Sequence, residues 1–436
     1  MRKLAFILAL SIVAVPASAL TKKPAAKASA KKKPSRTKHY RRPVVYVPPK
    51  VRHVAFEAVS ERATQPNRVL DGAGALVPFF EQVSHPSGSG SLHILHYGDS
   101  HTASDDWADT MRQAFQRKFG AGGPGFTLAG HPFAGYRRFD IRGANSRGWY
   151  TDGLVGRGQG DGIYGLGGVS LTTASAGETV TMSAECEQVE LHYLQQPGGG
   201  SMEFDVDGVA TDTVDTDGAL APGFYRHTPT AGVHEYSIRT LRDAPVRLFG
   251  WVAQNRTGVT YETLGINGAQ AGLQLDWNES ILAGGLADRE PALILVAYGT
   301  NEALSAKWTE QDYHAAFTAV LRRLRAAAPL ASILVVGPPD CERRIHGRRV
   351  PFPHLEEVID VQRQAALENG CAFWDWRTRM GGPGSVQQWV QAGLGQGDYV
   401  HLTSAGYRLV GSMLFEELMA QYNRFLAART EAVNGQ

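Results

Sequence analysis

The chain is predicted to be an α/β protein with a three-layer α/β/α parallel sheet, interrupted by an inserted antiparallel β-sandwich. In two separated stretches of the 436-residue chain, short apolar runs alternate with amphipathic helix patterns. Between them, over 135–250, helix patterns disappear and short alternating runs lie between Gly-rich and Thr-rich turns. We therefore predict a split domain, 56–134 and 251–430, that encloses a β-sandwich at 135–250.

Five apolar runs are candidate parallel strands: Leu92–Tyr97, Val259–Leu264, Ala292–Tyr298, Ile333–Val336 and Ala372–Trp374. Helix patterns lie near 105–118, 311–327, 355–368 and 404–427. In an open sheet of this kind, ligands bind at the carboxyl ends of the strands. Polar residues that directly follow these runs are therefore candidate site residues.

The first 19 residues are predicted to be a secretory signal peptide. Arg2 and Lys3 precede an apolar run, Leu4–Val15, and Ala17-Ser18-Ala19 matches a cleavage site. The run is short for a transmembrane helix, and the alternative is an uncleaved N-terminal anchor. After cleavage we expect an exported protein without a transmembrane segment, in the periplasm or at the cell envelope.

Residues 20–55 are predicted to be a disordered linker rich in Lys, Pro and Ala. This basic tail is either a solvated spacer or an electrostatic contact with an anionic cell envelope. The first 50 residues hold 13 of the 44 Lys and Arg and no acid, so 31 bases and 42 acids remain beyond them. The rest of the chain is acidic, which does not favour nucleic acid as a partner.

The three cysteines and the histidine spacing give no sign of a metal site. Cys341 and Cys371 either pair in an oxidising compartment or remain free thiols like Cys186. No grouping of Cys and His has the spacing of zinc ligands. We predict neither a metal nor another cofactor.

Ser100 is the candidate nucleophile because Gly98-Asp99-Ser100 follows the first strand and precedes a helix pattern. A serine hydroxyl needs a base within hydrogen-bonding distance, and the base needs an orienting carboxylate. His401 and Asp398 lie three residues apart before the last helix, a spacing that lets the carboxylate reach one ring nitrogen. The other ring nitrogen is then free to face Ser100.

Three groups are candidate donors to the negative oxygen that forms during acyl transfer: the backbone N–H of Ser100, the backbone N–H of Gly268 and the side chain of Asn301. Taken singly, each motif has an ordinary explanation: Gly-Asp-Ser as a turn, Asp398 as a helix cap and Asn301 as the end of a turn. Ser100 and Asn301 both follow apolar runs in the βα alternation, which favours the catalytic interpretation.

At these residues the chain resembles the SGNH or GDSL hydrolase family, whose four blocks carry Ser, Gly, Asn and His in this order. The resemblance implies that Ser100, Asp398 and His401 form the catalytic triad, and that Ser100, Gly268 and Asn301 form the oxyanion hole. His101, where the family usually has a hydrophobic residue, and Glu302, where Asp is commoner, depart from its pattern.

The motifs Gly-Asp-Ser-His-Thr, Tyr-Gly-Thr-Asn-Glu and Asp-x-x-His-Leu-Thr, with the long insertion, resemble the bacterial peptidoglycan O-acetylesterases. That branch carries a carbohydrate-module-like β domain within the hydrolase domain. The resemblance implies a serine esterase that removes O-acetyl groups from cell-wall peptidoglycan through an acetyl-serine intermediate. The inserted module either contacts substrate or serves as a packing or lid domain.

Other functions remain open on the sequence alone. A polysaccharide O-acetyltransferase would use the same acyl-enzyme with a sugar hydroxyl in place of water, and the acylated glycan need not be peptidoglycan. A lipase or thioesterase is disfavoured because the sequence shows no extended apolar lid. A non-catalytic envelope glycan-binding protein is the alternative of another class.

Overall fold

The computed structural model describes residues 45–65, 70–84, 90–156, 160–305 and 307–434. The predicted signal peptide and most of the predicted linker lie outside these residues. All described residues belong to one compact unit, Arg42–Gln436. None of the helices that the structure describes is long and apolar enough to cross a bilayer.

The helices, in chain order, are α1 (Pro49–Thr64), α2 (Val77–Ser84), α3 (Ser100–Ala103), α4 (Asp106–Phe119), α5 (Glu279–Arg289), α6 (Thr300–Leu304), α7 (Glu310–Ala327), α8 (Leu355–Glu368), α9 (Trp376–Met380), α10 (Ser385–Gln391) and α11 (Ser404–Asn434). Two 3-10 helices span Ala73–Leu76 and Ala271–Asp276. The four helices predicted from the sequence correspond to α4, α7, α8 and α11.

The strands are β1 (Leu70–Asp71), β2 (Gly90–Gly98), β3 (Gly125–Thr127), β4 (Arg142–Asn145), β5 (Tyr150–Asp152), β6 (Ser170–Thr173), β7 (Thr179–Glu185), β8 (Gln188–Gln195), β9 (Ser201–Val206), β10 (Val209–Asp215), β11 (Ala221–His227), β12 (Val233–Thr240), β13 (Val246–Gln254), β14 (Thr257–Gly265), β15 (Leu293–Ala297), β16 (Ser332–Val336), β17 (Glu342–Ile345), β18 (Arg348–Pro351) and β19 (Ala372–Trp374). The five predicted parallel strands correspond to β2, β14, β15, β16 and β19.

These five strands form one sheet in the order β19-β16-β15-β2-β14, and all of their pairings are parallel. The short β1 adds an antiparallel edge beside β19. Alternate side chains of β15 enter different hydrophobic clusters. Ile294 and Val296 pack with residues of α7 and α8, whereas Leu293 and Leu295 pack with residues of α4 and α11. Helices therefore cover both faces of the parallel sheet. Side chains on both sides of each strand are buried, which explains why these strands are continuous apolar runs in the sequence.

Two antiparallel sheets lie in the region where the sequence lost its helix patterns. One has the strand order β10-β9-β12-β7-β4, and the other has the order β11-β8-β13-β6-β5 with β3 also paired to β13. Both sheets contribute to one buried cluster, as Phe204 of β9, Ile238 of β12 and Trp251 of β13 illustrate. The two flanking strands, β3 and β13, extend beyond the predicted limits of 135 and 250.

The predicted disordered linker ends too late in the sequence. The predicted limits are 20–55, but α1 begins at Pro49, and Val47, Ala55 and Val59 are buried. Pro at the first helical turn is compatible with a helix because its missing N–H has no partner there in any case. The few apolar residues of α1 pack against the rest of the chain, which local composition does not reveal.

Candidate active site

Ser100 lies at the point where β2 turns into α3. Gly98 ends the strand, and a Cβ there would stand 2.1 Å from the hydroxyl oxygen of Thr102, so the turn requires glycine. Asp99 then caps α3, because its Oδ1 accepts a hydrogen bond of 2.9 Å from the backbone N–H of His101. This local geometry places the Ser100 hydroxyl at the carboxyl end of the parallel sheet.

His401 lies directly against Ser100, with 2.9 Å between its Nε2 and the Ser100 Oγ. Its other ring nitrogen, Nδ1, is 2.9 Å from Oδ2 of Asp398. An ionised carboxylate accepts, so Nδ1 carries the ring proton and donates to Asp398, while Nε2 is free to accept the serine proton. The three residues thus have the geometry of a nucleophile, a base and an orienting acid.

Asp398 is held as a carboxylate by its own loop. Its Oδ1 accepts hydrogen bonds of 3.0 Å from the backbone N–H groups of Val400 and His401. Burial by itself would raise the pKa of Asp398, but the bonds from the His401 ring and from these two N–H groups outweigh it and lower the pKa to about 2. Asp398 is therefore negatively charged throughout the neutral range.

Gly268 and Asn301 line the same cavity as Ser100 and His401. Gly268 has a φ of +78° in the turn after β14. Asn301 lies in the first turn of α6, and its Nδ2 donates to the backbone oxygen of Ala269 at 2.9 Å and to Oδ2 of Asp99 at 3.3 Å. Both N–H groups of the Asn301 amide therefore have an acceptor, so a bond from Nδ2 to an oxyanion would replace one of these two bonds.

Glu302 connects the two loops that carry Gly268 and Asn301, and sequence reasoning had noted it only as a departure from the family pattern. Its buried carboxyl accepts from the backbone N–H of Ala271 at 2.7 Å and from that of Gly299 at 3.0 Å. Burial raises the pKa of Glu302 to about 7 against the lowering effect of these bonds. Glu302 thus fixes the relative position of two candidate oxyanion donors.

His101 is buried behind the triad. Its Nδ1 is 2.8 Å from the hydroxyl of Tyr407, and its ring centre is 5.2 Å from that of His401. Burial, assisted by repulsion from His401, lowers the pKa of His101 well below its ordinary value, so the ring is neutral. His101 therefore serves as a polar packing residue next to His401.

The cavity around Ser100 has a volume of about 890 Å³. Four of the five predicted site residues line it, and Asp398 lies behind His401. Two arginines that sequence analysis did not identify, Arg52 of α1 and Arg137 of the loop between β3 and β4, also line the cavity. They come from segments far from the motifs, so no local pattern could have indicated them.

Outside this cavity, one group in the described part of the chain has the side chains of a metal site: Glu190, His192 and Asp288. Nε2 of His192 is 2.6 Å from Oε1 of Glu190. Arg226 forms ion pairs with both carboxylates, so a guanidinium already balances their charge. No local spacing could have indicated this group, because its members lie on β8 and on the distant α5.

Residues 230–409 match the model of the GDSL-like lipase/acylhydrolase family. The matched range includes four of the predicted site residues, whereas Ser100 lies before it on the far side of the antiparallel region. No curated protein sequence matches the chain.

Among solved structures, that of a peptidoglycan O-acetylesterase is similar, with a TM-score of 0.70 and 26% sequence identity over 82% of this chain and 99% of that one. A family two carbohydrate esterase from Clostridium thermocellum bound to cellohexaose has 11% identity and a TM-score of 0.30, over 58% of this chain and 95% of that one. A family two carbohydrate esterase from Cellvibrio japonicus has 12% identity and a TM-score of 0.27, over 66% of this chain and 99% of that one. The chain is thus similar to the GDSL-like lipase/acylhydrolase family over residues 230–409 and, in its fold, to a peptidoglycan O-acetylesterase.

Proposed function

We propose that this protein is a serine esterase that removes O-acetyl groups from cell-wall peptidoglycan. The observation that carries the proposal is the hydrogen-bonded chain of Ser100, His401 and Asp398. Ser100 Oγ lies 2.9 Å from Nε2 of His401, and Nδ1 of His401 lies 2.9 Å from Oδ2 of Asp398. The similar peptidoglycan O-acetylesterase supports the substrate. The geometry supports the chemistry independently of that comparison.

In the first half of the reaction, Ser100 Oγ attacks the acetyl carbonyl carbon and transfers its proton to Nε2 of His401. The negative oxygen of the tetrahedral intermediate accepts hydrogen bonds from the backbone N–H groups of Ser100 and Gly268 and from Asn301 Nδ2. The bond to the sugar oxygen then breaks, and that oxygen takes the proton from His401. The sugar leaves with a free hydroxyl, and the acetyl group remains on Ser100.

In the second half, water attacks the acetyl-serine while His401 takes a proton from it. The second tetrahedral intermediate collapses, the Ser100 oxygen leaves and recovers the proton, and acetate is released. Asp398 stays ionised and stabilises the His401 cation that forms in each half. No metal or cofactor has a role in this scheme.

We further propose that 135–250 is an inserted, carbohydrate-module-like β-sandwich in a hydrolase domain formed by 56–134 and 251–430. The two antiparallel sheets and their shared buried cluster support this division. The N-terminal sequence supports an exported protein in the periplasm or at the cell envelope, which is where peptidoglycan occurs. Export is tested by locating the full-length chain in fractionated cells.

The activity is tested by measuring acetate released from O-acetylated peptidoglycan by the protein and by its Ser100→Ala variant. We expect release that depends on Ser100, and hydrolysis of p-nitrophenyl acetate that depends on it equally. Hydrolysis of the small ester alone would refute peptidoglycan as the substrate and favour another acylated glycan or an acetyltransferase. No reaction with either substrate, in folded protein, would favour the non-catalytic glycan-binding alternative.

A further inference from the structure

Two exposed arginines, Arg52 and Arg137, face the cavity that contains Ser100. Neither guanidinium forms an ion pair with a carboxylate of the described residues. Other arginines of the chain, such as Arg112 and Arg138, are paired with aspartates. The two cavity arginines are therefore available for a negatively charged ligand, which a guanidinium binds through two parallel hydrogen bonds.

Arg52 is held in place by a firmly anchored helix. Near the other end of α1, Arg62 donates to Oε1 of Gln388 at 3.0 Å and to the backbone oxygen of Met380 at 3.1 Å. Arg379 donates in turn to the backbone oxygen of Arg62 at 2.7 Å. These bonds fix α1 against α9 and α10, so Arg52 belongs to the wall of the cavity.

The cavity has an excess of positive charge. The carboxylate that lines it among the described residues is Asp106, which is largely buried in the first turn of α4. The positive end of the helix dipole favours the negative charge of Asp106 at that position. Among the described residues that line the cavity, Arg52 and Arg137 thus remain as the two arginines that a ligand can reach.

The space is also much larger than an acetyl group requires. A second cavity of about 660 Å³ shares Val45 and Arg52 with the first. It is lined by the exposed aromatic rings of Tyr46 and Phe56, which are 83% and 47% exposed. Aromatic faces next to polar groups are suited to the amphipathic faces of sugar rings.

We propose that Arg52 and Arg137 bind a carboxylate of the substrate, so that the enzyme prefers an acidic acylated glycan to a neutral one. This inference rests on the proposed esterase function and narrows it. The stem peptides of peptidoglycan carry such carboxylates, and uronic acids carry them on the sugar itself. Arg52 would hold the polymer where the two cavities meet, while the acetyl group reaches Ser100.

The test is a binding measurement, so that it does not depend on turnover. Isothermal titration calorimetry on Ser100→Ala protein would compare a disaccharide tetrapeptide from peptidoglycan, the same compound with amidated carboxylates, and an oligogalacturonide. We expect the acidic muropeptide to bind at least about tenfold more tightly than its amidated form. Tighter binding of the oligogalacturonide than of the muropeptide would also support the carboxylate site, and would place the carboxylate on the sugar.

The arginines are tested by Arg52→Ala and Arg137→Ala in the same Ser100→Ala background, each beside its lysine variant. Each alanine variant should weaken binding of the acidic muropeptide by about fivefold. Binding of the amidated muropeptide should change much less. Each lysine variant should recover part of the lost affinity, because it keeps the positive charge. Arg117→Ala is the matched control, because Arg117 is exposed on α4 and contacts Gln113 outside the cavity. Thermal unfolding shows whether each variant is folded.

Equal affinity of the Ser100→Ala protein for the acidic and amidated muropeptides would overturn the inference. So would alanine variants at both arginines that bind the acidic form as tightly as Arg117→Ala does. Neither result would contradict the proposed esterase activity, which is tested separately by acetate release. Conversely, absence of acetate release together with preferential binding of the acidic form would refute the esterase and leave the carboxylate site intact.

Discussion

Replacement of Asp398 by Asn should abolish most of the activity, although the two side chains have nearly the same shape. Asp398 accepts three hydrogen bonds, one from the His401 ring and two from backbone N–H groups. An amide has only one acceptor atom. If the amide oxygen faces the two backbone N–H groups, two of the three hydrogen bonds are kept. If it faces the His401 ring, only one is kept. The first orientation is therefore favoured.

In that orientation the Asn NH₂ group points at Nδ1 of His401, which must then act as an acceptor. The ring proton moves to Nε2, which faces the Ser100 hydroxyl at 2.9 Å. A protonated Nε2 cannot take the serine proton, so the base is lost while the geometry is kept. The same tautomer error costs about 10⁴-fold in kcat in a well-studied serine protease. We expect about 10³- to 10⁴-fold here, which is about 4 to 5.5 kcal/mol of transition-state stabilisation.

Hydrolysis of p-nitrophenyl acetate at pH 7 measures this effect, with Asp360→Asn as a control at an exposed aspartate on α8. A decrease in kcat of less than tenfold in Asp398→Asn would refute the proposed role of the carboxylate.

The free energy of unfolding of the same variant provides a second measurement. Because the pKa of Asp398 is lowered to about 2 in the folded state, its ionised form contributes stability above the ordinary value of 3.8, and this is lost as the pH falls through about 2.

After allowance for solvent screening at a side chain that is 34% exposed, that contribution is about 1 kcal/mol. Thermal unfolding should therefore show Asp398→Asn less stable than the wild type at pH 6, with the difference disappearing near pH 2. A difference that persists unchanged at low pH would show that the loss comes from packing and not from the charge.

Three further substitutions test the remaining parts of the site. Asn301→Ala should lower kcat for p-nitrophenyl acetate by about 10²- to 10³-fold with little change in KM, and an unchanged kcat would exclude it as an oxyanion donor. Gly268→Ala should lower stability by about 1 to 2 kcal/mol, because its φ of +78° is costly for alanine, whereas a Cβ there would be no closer than 3.9 Å to Val155. A wild-type Tm would show that the turn adapts. Because the pKa of Glu302 is raised from 4.5 to about 7 in the folded state, its contribution to stability declines as the pH rises between these values, so Glu302→Gln should show a smaller fall in Tm from pH 5 to pH 8 than the wild type.

The parallel sheet could be predicted from the sequence because its strands are buried on both faces. Burial on both sides leaves continuous apolar runs such as Leu293–Ala297, and the polar residues that follow them mark the carboxyl edge. Ser100 and Asn301 follow two adjacent strands of that sheet, β2 and β15. Their proximity is therefore a consequence of strand order and direction, which the βα alternation already indicates.

The limits of α1 could not be predicted in this way. Its residues 49–64 include only two buried apolar side chains, Ala55 and Val59, and the lysine-rich and proline-rich stretch before it suggested disorder. What holds α1 is a set of hydrogen bonds from Arg62 and to its backbone oxygen, with partners more than 300 positions away. Contacts of such sequence separation leave no periodic pattern in either partner.

The proposed chemistry of this site can be recognised from local sequence, whereas its proposed specificity depends on contacts between distant segments. Asp398 and His401 are three residues apart, so the geometry of their pair is a property of one loop and can be recognised locally. Arg52 reaches the Ser100 cavity only because α1 packs on α9 and α10, and Arg137 reaches it from the loop between β3 and β4. The residues proposed to break an ester bond are thus encoded in short motifs, whereas the charges proposed to select an acidic polymer depend on the folding of the whole chain. A homologous hydrolase could keep every motif and, with different residues at these two positions, act on a neutral glycan.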